Sequence, residues 1–568
     1  MKIQLIYPPF LEKRIHAEEI GPVPMGLYFL AAVLTENGHK VAVINWHDVR
    51  PDADSIRRHL AETRPDLIGF SVLQANRWGA IDIARLVKSR SPDIPIVFGG
   101  VGATFLWEHF LTHFPEIDYV VTGEGERSLP ALVRSLEKER AADLSTVPGI
   151  AFRENSRPVC TEPAEPVKDL DDLPNPARYF TYQHLSLTRG CPANCRFCGS
   201  PRFWGRRVRF HSADAFVEQI ELLYQKGVRF FFFSDDTFTL KKDLVIDVCR
   251  KIIDKQLPIS WNAISRVDAV DAEMLGWMRR AGCIQISYGI ESGSPAIRER
   301  LGKHIKTDQI RTAFELTASY GILTRAYFIY GCPGESDATI NETLALIEAI
   351  KPLAAIFYIL DIFPGTAIYE DYLKRTGATD DIWLERIEDI LYFETDPALS
   401  RDMVLAFGKT LREGFHRNLA KFARSVELVD DPEFFTLHAD FLSRLALTFD
   451  QGDYSRIETI PDREETALIL YRKALSYAPD ARAYLGLGMM LQRKRQFLES
   501  IEILARGLKH FPDYDQLHIC IAVSRMNTGD FRRALDHLLP IENQPQARQF
   551  IVACYRALGD NDAAERYS

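Results

Sequence analysis

The stretch CPANCRFC, residues 191–198, sets Cys191, Cys195 and Cys198 within eight positions of a chain that has nine cysteines in 568 residues. Thiolates this close together hold metal. A four-iron cube normally takes four cysteine ligands. A set of three leaves one iron without a protein ligand, and an open position is where a metal centre binds and activates a substrate. The same thiolates could close a zinc site if His184 or His211 supplied a fourth ligand, although structural zinc sites usually pair ligands across two hairpins and here one loop carries all three. Further residues stand at the ends of apolar runs: the polar Asp236 in FFFSDDTF, Ser265 and Arg266 in SWNAISRVD, and Glu291 and Ser292 in YGIESGS, with Pro333 in the glycine-rich YGCPGE.

The elements that would position these groups follow from the periodicity. From residue 2 to about 138, the strand-like runs IQLIYPP, VAVINW, LIGFSV, IPIVFGG and YVVTG alternate with helical segments such as GLYFLAAVLTENG. That alternation predicts an α/β domain with a doubly wound parallel sheet, whose ligands sit beyond the carboxyl ends of the strands. The loops there hold Pro9, Ser71, Leu73, Gln74, Gly99, Gly100, Thr104, Gly123, Glu124, Gly125 and Glu126. A polar, proline-bearing stretch then breaks both periods. A second alternation, with strands at HLSLTRG, FFFFSDD, SWNAISR, QISYGIES, LTRAYFIYG and AAIFYILDIF, suits a partial (β/α)6 barrel with its chemistry at the carboxyl end. After residue 395 strand signals vanish, and ALSYAPD recurs as GLKHFPD 33 positions on, while Phe497 recurs as Phe531 at 34. The predicted division is 1–145, a linker at 146–180, the barrel at 181–395, a helical connector at 396–458 and all-α helical repeats at 459–568.

The composition excludes several classes. With 46% hydrophobic and 26% charged residues the chain is globular, and a net charge of -9 argues against a sequence-independent grip on nucleic acid. The longest apolar runs fall short of the ~20 residues of a membrane span. The start MKIQLIYPPF lacks the pattern of an export signal, so a cytoplasmic protein is expected. The six scattered cysteines, Cys160, Cys249, Cys283, Cys332, Cys520 and Cys554, are expected as packed apolar residues.

CxxxCxxC, with the aromatic Phe197 before its last cysteine, closely resembles the signature of the radical S-adenosylmethionine (SAM) superfamily. The resemblance implies that Cys191, Cys195 and Cys198 hold a [4Fe–4S] cluster whose open iron is chelated by SAM, and that reductive cleavage of SAM yields a 5′-deoxyadenosyl radical. Carried over motif by motif, it makes Phe197, Asp236, Ser265, Arg266, Glu291, Ser292 and Pro333 the SAM-binding set. The replacement of the family's Gly-Gly-Glu-Pro element by FFFSDDTF is typical of the branch with an N-terminal cobalamin-binding domain. The first domain resembles that domain, which makes Pro9, Ser71, Leu73, Gln74, Gly99, Gly100, Thr104 and Gly123 to Glu126 its cobalamin contacts. The chain departs from many cobalamin proteins in having no DxHxxG histidine; the nearest, His16, has Gly21 five residues on. In this branch the corrin would then sit with its lower face covered by SVLQANRW, unless the domain has kept its fold and lost its cofactor.

The implied function is a cobalamin-dependent radical SAM enzyme methylating an unactivated carbon, supplied with electrons by a flavodoxin or ferredoxin. A cyclase resembling the anaerobic enzyme of chlorophyll synthesis, and a partner-binding scaffold with a vestigial barrel, are the alternatives. The C-terminal period resembles tetratricopeptide repeats, implying either a docking surface for a protein or peptide or a cap on the barrel.

Overall fold

The computed structural model describes residues 1–11, 25–47, 52–137 and 143–568; His16 and Gly21 lie outside them. The first sheet contains β1 (Lys2–Tyr7), β2 (Lys40–Asn45), β3 (Leu67–Ser71), β4 (Ile96–Gly99), β5 (Tyr119–Val121), β6 (Ile150–Glu154) and β7 (Arg157–Cys160), in the order β2-β1-β3-β4-β5-β6-β7. Strands β1 to β5 pair in parallel. Strands β1, β3 and β4 are near-continuous buried apolar runs because helices cover both faces, with four of the five residues of β3 buried, whereas no residue of the edge strand β2 is buried. The order reverses at β1, and the crevice beside that switch point opens at the carboxyl ends of β1 and β3.

Strands β6 and β7 correct the expected linker. Residues 150–160 form an antiparallel hairpin that extends the first sheet. Its turn residues Asn155 and Ser156 have φ of 49° and 66°, the left-handed pair that a tight hairpin uses. The hairpin lies at the sheet's rim, where Pro158 is tolerated because β7 has no neighbour beyond it, so polar composition there signals an edge and not a linker. Cys160 ends this edge strand and is exposed, unlike the packed residue expected of it.

The barrel begins with β8 (His184–Leu185). Next, β9 (Thr188–Arg189) and β10 (Arg209–Phe210) pair antiparallel and pinch together the loop that carries the three cysteines. Strands β11 (Phe230–Phe233), β12 (Ser260–Ser265), β13 (Cys283–Glu291), β14 (Leu323–Tyr330) and β15 (Ala354–Ile359) complete an open sheet in the order β8-β11-β12-β13-β14-β15. All its pairings are parallel. Burial alternates along β12 and β14, because one face meets the outer helices and the other the lumen. Phe233 of β11 stacks on Trp261 of β12 with centroids 4.4 Å apart.

One apolar core joins the two domains: Ile6, Trp78, Phe98 and Phe110 of the first pack in a single cluster with Ile297, Leu301, Cys332, Ile362 and Trp383 of the second. The strand ends of the first sheet are thereby held against the loops of the barrel. Beyond the barrel the chain is helical. Helices Arg401–Arg424, Phe435–Asp450, Arg463–Tyr477 and part of Ala481–Arg493 share the barrel's own core through Phe415, Leu442, Leu470 and Met490. The hairpins Ala481–Arg493 with Phe497–His510, and Asp515–Asn527 with Phe531–Leu538, start 34 residues apart. Among the described residues no helix is long and apolar enough to cross a membrane.

Candidate active site

The cysteine loop leaves β9 through Gly190, at φ 103°, and turns so that the Cys198 N–H donates to the Cys195 carbonyl over 3.2 Å. Backbone bonds from Arg196 N–H to the Leu301 carbonyl and from Ile368 N–H to the Arg196 carbonyl pin it against the later barrel loops. Asp235, at the end of β11, supports the base of the loop by accepting from the Thr188 N–H and hydroxyl at 2.6 and 2.7 Å, and burial pushes its carboxyl up to about 7. All three clustered cysteines are half-buried. Burial raises the Cys195 thiol and pushes that of Cys198 up to about 12. Such thiols ionise when metal displaces their protons.

Both histidines of the zinc alternative are engaged elsewhere. His184 Nδ1 bonds the Ser234 hydroxyl at 2.9 Å and its ring stacks on Phe232, while His211 Nδ1 lies 3.0 Å from Asp171.

Four charged side chains surround the cysteines. Asp236 accepts from the Ser200 hydroxyl and sits close enough to Cys198 for its charge to act on that thiol. Arg266 is held by Asp268 at 2.9 and 2.8 Å, within electrostatic reach of Cys191 and Cys195. Glu291 and Lys303 form a buried ion pair at 2.9 Å whose two charges both act on Cys195. Glu291 has φ 68° at a bulge in the β13–β14 ladder. A non-glycine residue held there marks backbone that its surroundings over-determine. Two anions and two cations around one metal position complement an α-amino acid group, which carries both an ammonium and a carboxylate.

Other expected SAM residues make hydrogen bonds within the protein. The Ser265 hydroxyl bonds Thr239, and Ser292 is buried and shares its hydroxyl with Thr343 at 3.3 Å, turned toward helix Asp337–Ile350. The Pro333 carbonyl accepts from Arg300 at 3.2 Å, and the turn around it is held by Glu335, which accepts from the Gly331 and Cys332 N–H groups. Phe197 packs against the core that joins the domains. Sequence spacing gave no sign of Lys303, which lies on no strand end and meets Glu291 only through the fold.

A cleft opens at the carboxyl ends of the first sheet, and Ser71, Leu73, Gly99, Gly100, Gly123, Glu124, Gly125 and Glu126 stand in its wall. Leu5, Leu27, Leu30, Phe70 and Val121 make it apolar, and Phe203 and Trp204, the last residue and the C-cap of the short helix that follows Cys198, complete it. The cofactor cleft and the cysteine loop therefore share a wall. Cβ atoms added at Gly26 or Gly123 would meet no atom of the described residues within 4 Å, and both glycines line the cleft. The residues present fit a bulky ligand whose apolar part enters between β1, β3, β4 and β5.

Three expected contacts lie outside this wall. Pro9 fills the space over Gly79, where an added Cβ would come within 2.1 Å of its carbonyl oxygen. The Gln74 carbonyl accepts from Arg77 at 2.6 Å. The Thr104 hydroxyl bridges the Gly100 carbonyl and the Gly123 N–H at 2.8 and 3.0 Å, tying the β4 and β5 loops together. Two residues that the sequence did not single out bind the domains here. Arg189 pairs with Glu126 at 2.6 Å and Glu124 at 3.5 Å, its guanidinium over the rings of Phe29 and Trp204, and Arg209 pairs with Glu124.

Comparison with known proteins agrees with this geometry. A family model of the radical SAM superfamily matches residues 185–347, and one of the B12 binding domain matches residues 21–133. An uncharacterized methyltransferase of Pyrococcus horikoshii is 32% identical over 385 residues, covering 65% of this chain and 83% of that protein. The anaerobic magnesium-protoporphyrin IX monomethyl ester cyclase of Rubrivivax gelatinosus is 28% identical over 398 residues, 67% of this chain and 71% of the cyclase. Among solved structures, the radical S-adenosylmethionine methyltransferase TsrM of Kitasatospora setae, with cobalamin and a [4Fe-4S] cluster bound, aligns with TM-score 0.60 and 19% identity over 84% of this chain and all (100%) of that one. That last similarity is one of fold.

Proposed function

The chain belongs to the radical SAM superfamily, in the branch with an N-terminal B12-binding domain, and from that premise we propose that it methylates an unactivated carbon of an organic substrate. The observation that carries this reading is the shared wall: Phe203 and Trp204 line the cleft of the first domain and follow Cys198 by five and six residues. When bound, the [4Fe–4S] cluster, SAM and cobalamin supply hydrogen abstraction from carbon and a methyl group for that carbon.

The chain's own contribution is placement and exclusion of water. Cys191, Cys195 and Cys198 would hold the cluster, and Phe197 locks their loop into the inter-domain core. Asp236 and Glu291 offer carboxylates to an ammonium, and Arg266 and Lys303 offer cations to a carboxylate, so SAM would be gripped in one orientation. Ser265, Ser292 and Pro333 brace the strand ends that carry those groups. The cleft lined by Ser71, Leu73, Gly99, Gly100 and Gly123 to Glu126 would take cobalamin. Arg189 and Arg209 hold the two cofactor sites in register, and electrons would come from a flavodoxin or ferredoxin. The C-terminal hairpins fit tetratricopeptide spacing, and the helices from Arg401 to Met490 buttress the barrel.

The 28% identity to a cyclase supports a second reading, ring formation without methyl transfer. One experiment divides them. Anaerobically reconstituted, reduced protein is given SAM with a deuterated methyl group together with an extract of its source cells. Methylation yields a product heavier by the labelled methyl, formed in step with 5′-deoxyadenosine. Cyclisation yields an unlabelled product lighter by the hydrogens removed.

A further inference from the structure

Away from the cysteines, helix Trp107–His113 of the first domain carries His109 and His113 one turn apart, facing the turn Asp380–Leu384 that follows the barrel. Asp381 Oδ1 lies 3.1 Å from His113 Nε2, and the two imidazole centroids are 5.0 Å apart. One ligand atom from each of His109, His113 and Asp381 falls within 4.8 Å of the other two. Among the described residues this is the set of three metal-type side chains so gathered. Two imidazoles at i and i+4 on a helix with a carboxylate opposite form an N2O donor set that suits divalent first-row ions.

A second observation is independent of that spacing. His109 is 5% exposed, and neither of its ring nitrogens has a hydrogen-bond partner. Burying an imidazole with both nitrogens idle is unfavourable. An ion between the three side chains gives one of those nitrogens a bond. Ligand atoms on a tetrahedral zinc stand ~3.3 Å apart, and His113 Nε2 and Asp381 Oδ1, at 3.1 Å, are already near that spacing. The neighbouring Arg77 guanidinium is occupied by the carbonyls of Gln74, Trp383 and Glu385 and stacks on the Trp383 ring at 4.8 Å.

We propose that His109, His113 and Asp381 bind a divalent ion of the zinc class, with water completing its coordination, and that the ion clips the first domain to the segment behind the barrel. The segment it fixes is already a clamp. Trp383 is fully buried, the Trp78 indole donates to the Glu385 carbonyl at 2.9 Å, and Arg386 pairs with Asp82. The ion adds an inter-domain bond at the edge of that clamp and takes no part in the chemistry at the cysteines.

The test uses full-length holoprotein with its cluster intact, freed of loosely held metal by a mild chelator and titrated with zinc sulfate by calorimetry under anaerobic conditions. Iron content is measured before and after, so that displacement from the cluster is recognised. The expected result is one zinc per chain, with affinity falling by more than ~100-fold in Asp381→Asn and in His113→Ala, beyond the usual effect of losing an outer-shell partner. Zinc should also raise the melting temperature of the wild type and leave both variants unmoved. Both substitutions are at exposed side chains, which avoids the cavity that His109→Ala would open. Absence of zinc uptake by the wild type, or equal uptake and equal melting shifts in the variants, overturns the proposal.

Discussion

Removing the ammonium of Lys303 leaves the Glu291 carboxylate buried beside Cys195 without its partner. Lys303→Ala should therefore destabilise the chain by about 3–5 kcal/mol in urea unfolding, whereas Glu291→Gln with Lys303→Met should restore most of that loss, because a buried pair replaced whole leaves no stranded charge. Ala at Cys191, Cys195 or Cys198 should abolish reductive SAM cleavage and strip iron and sulfide, while Cys249→Ala, in the outer wall of the barrel, should do neither. Glu335 gives a pH signature. Burial raises its carboxyl from 4.5 to about 7 in the folded chain. Folded protein then binds more protons than unfolded protein between those values, so this group takes stability away as pH rises through that window. Glu335→Gln should flatten that part of the urea midpoint profile between pH 4.5 and 7; an unchanged slope would remove Glu335 from the account. At this scale the cysteine triad was legible because three ligands lie on one short loop. Lys303 and Arg189 were not, since each acquires its role only by meeting a carboxylate brought from another element.

The elements explain why the polar residues converge. Parallel strands put their carboxyl ends on one side, so Asp236, Arg266 and Glu291, which follow β11, β12 and β13 or end them, need no long-range signal beyond strand order. The hairpin of β6 and β7 was illegible for the opposite reason: its polar face at the sheet's rim carries the composition of a linker. Within helix Met25–Glu36, Gly26 separates cofactor binding from folding. A Cβ there faces the cleft and meets no described residue within 4 Å, so Gly26→Leu should leave the melting temperature at or above wild type while weakening hydroxocobalamin retention by ~10-fold or more, as overfilled pockets do. Gly102→Ala is the contrast. Its Cβ would come within 2.6 Å of backbone atoms of Leu73 and Gln74, so both stability and retention should fall. Retention of the corrin by Gly26→Leu at wild-type strength would place cobalamin elsewhere.

Across the whole molecule, the inter-domain contacts decide whether two cofactor sites act as one. The Arg189 pairs with Glu124 and Glu126 cross from the barrel to the first sheet directly beside Trp204. Arg189→Met should leave SAM cleavage running and raise the ratio of 5′-deoxyadenosine to methylated product several-fold, because the radical is then formed away from its target. The order of the three regions was legible in the switch from period 2 with period 3.6 to period 3.6 alone, yet the extent to which the C-terminal helices enter the barrel's core through Phe415, Leu470 and Met490 was not, since burial between segments leaves no local period. The proposed chemistry rests on three thiolates leaving one iron of a cube open to SAM. Its most direct test is metal and sulfide analysis of anaerobically purified protein, with SAM cleavage measured on the same sample after reduction. About four irons and as much acid-labile sulfide per chain, with 5′-deoxyadenosine formed on reduction, is the predicted result; zinc at the cysteines with no labile sulfide and no cleavage would contradict it.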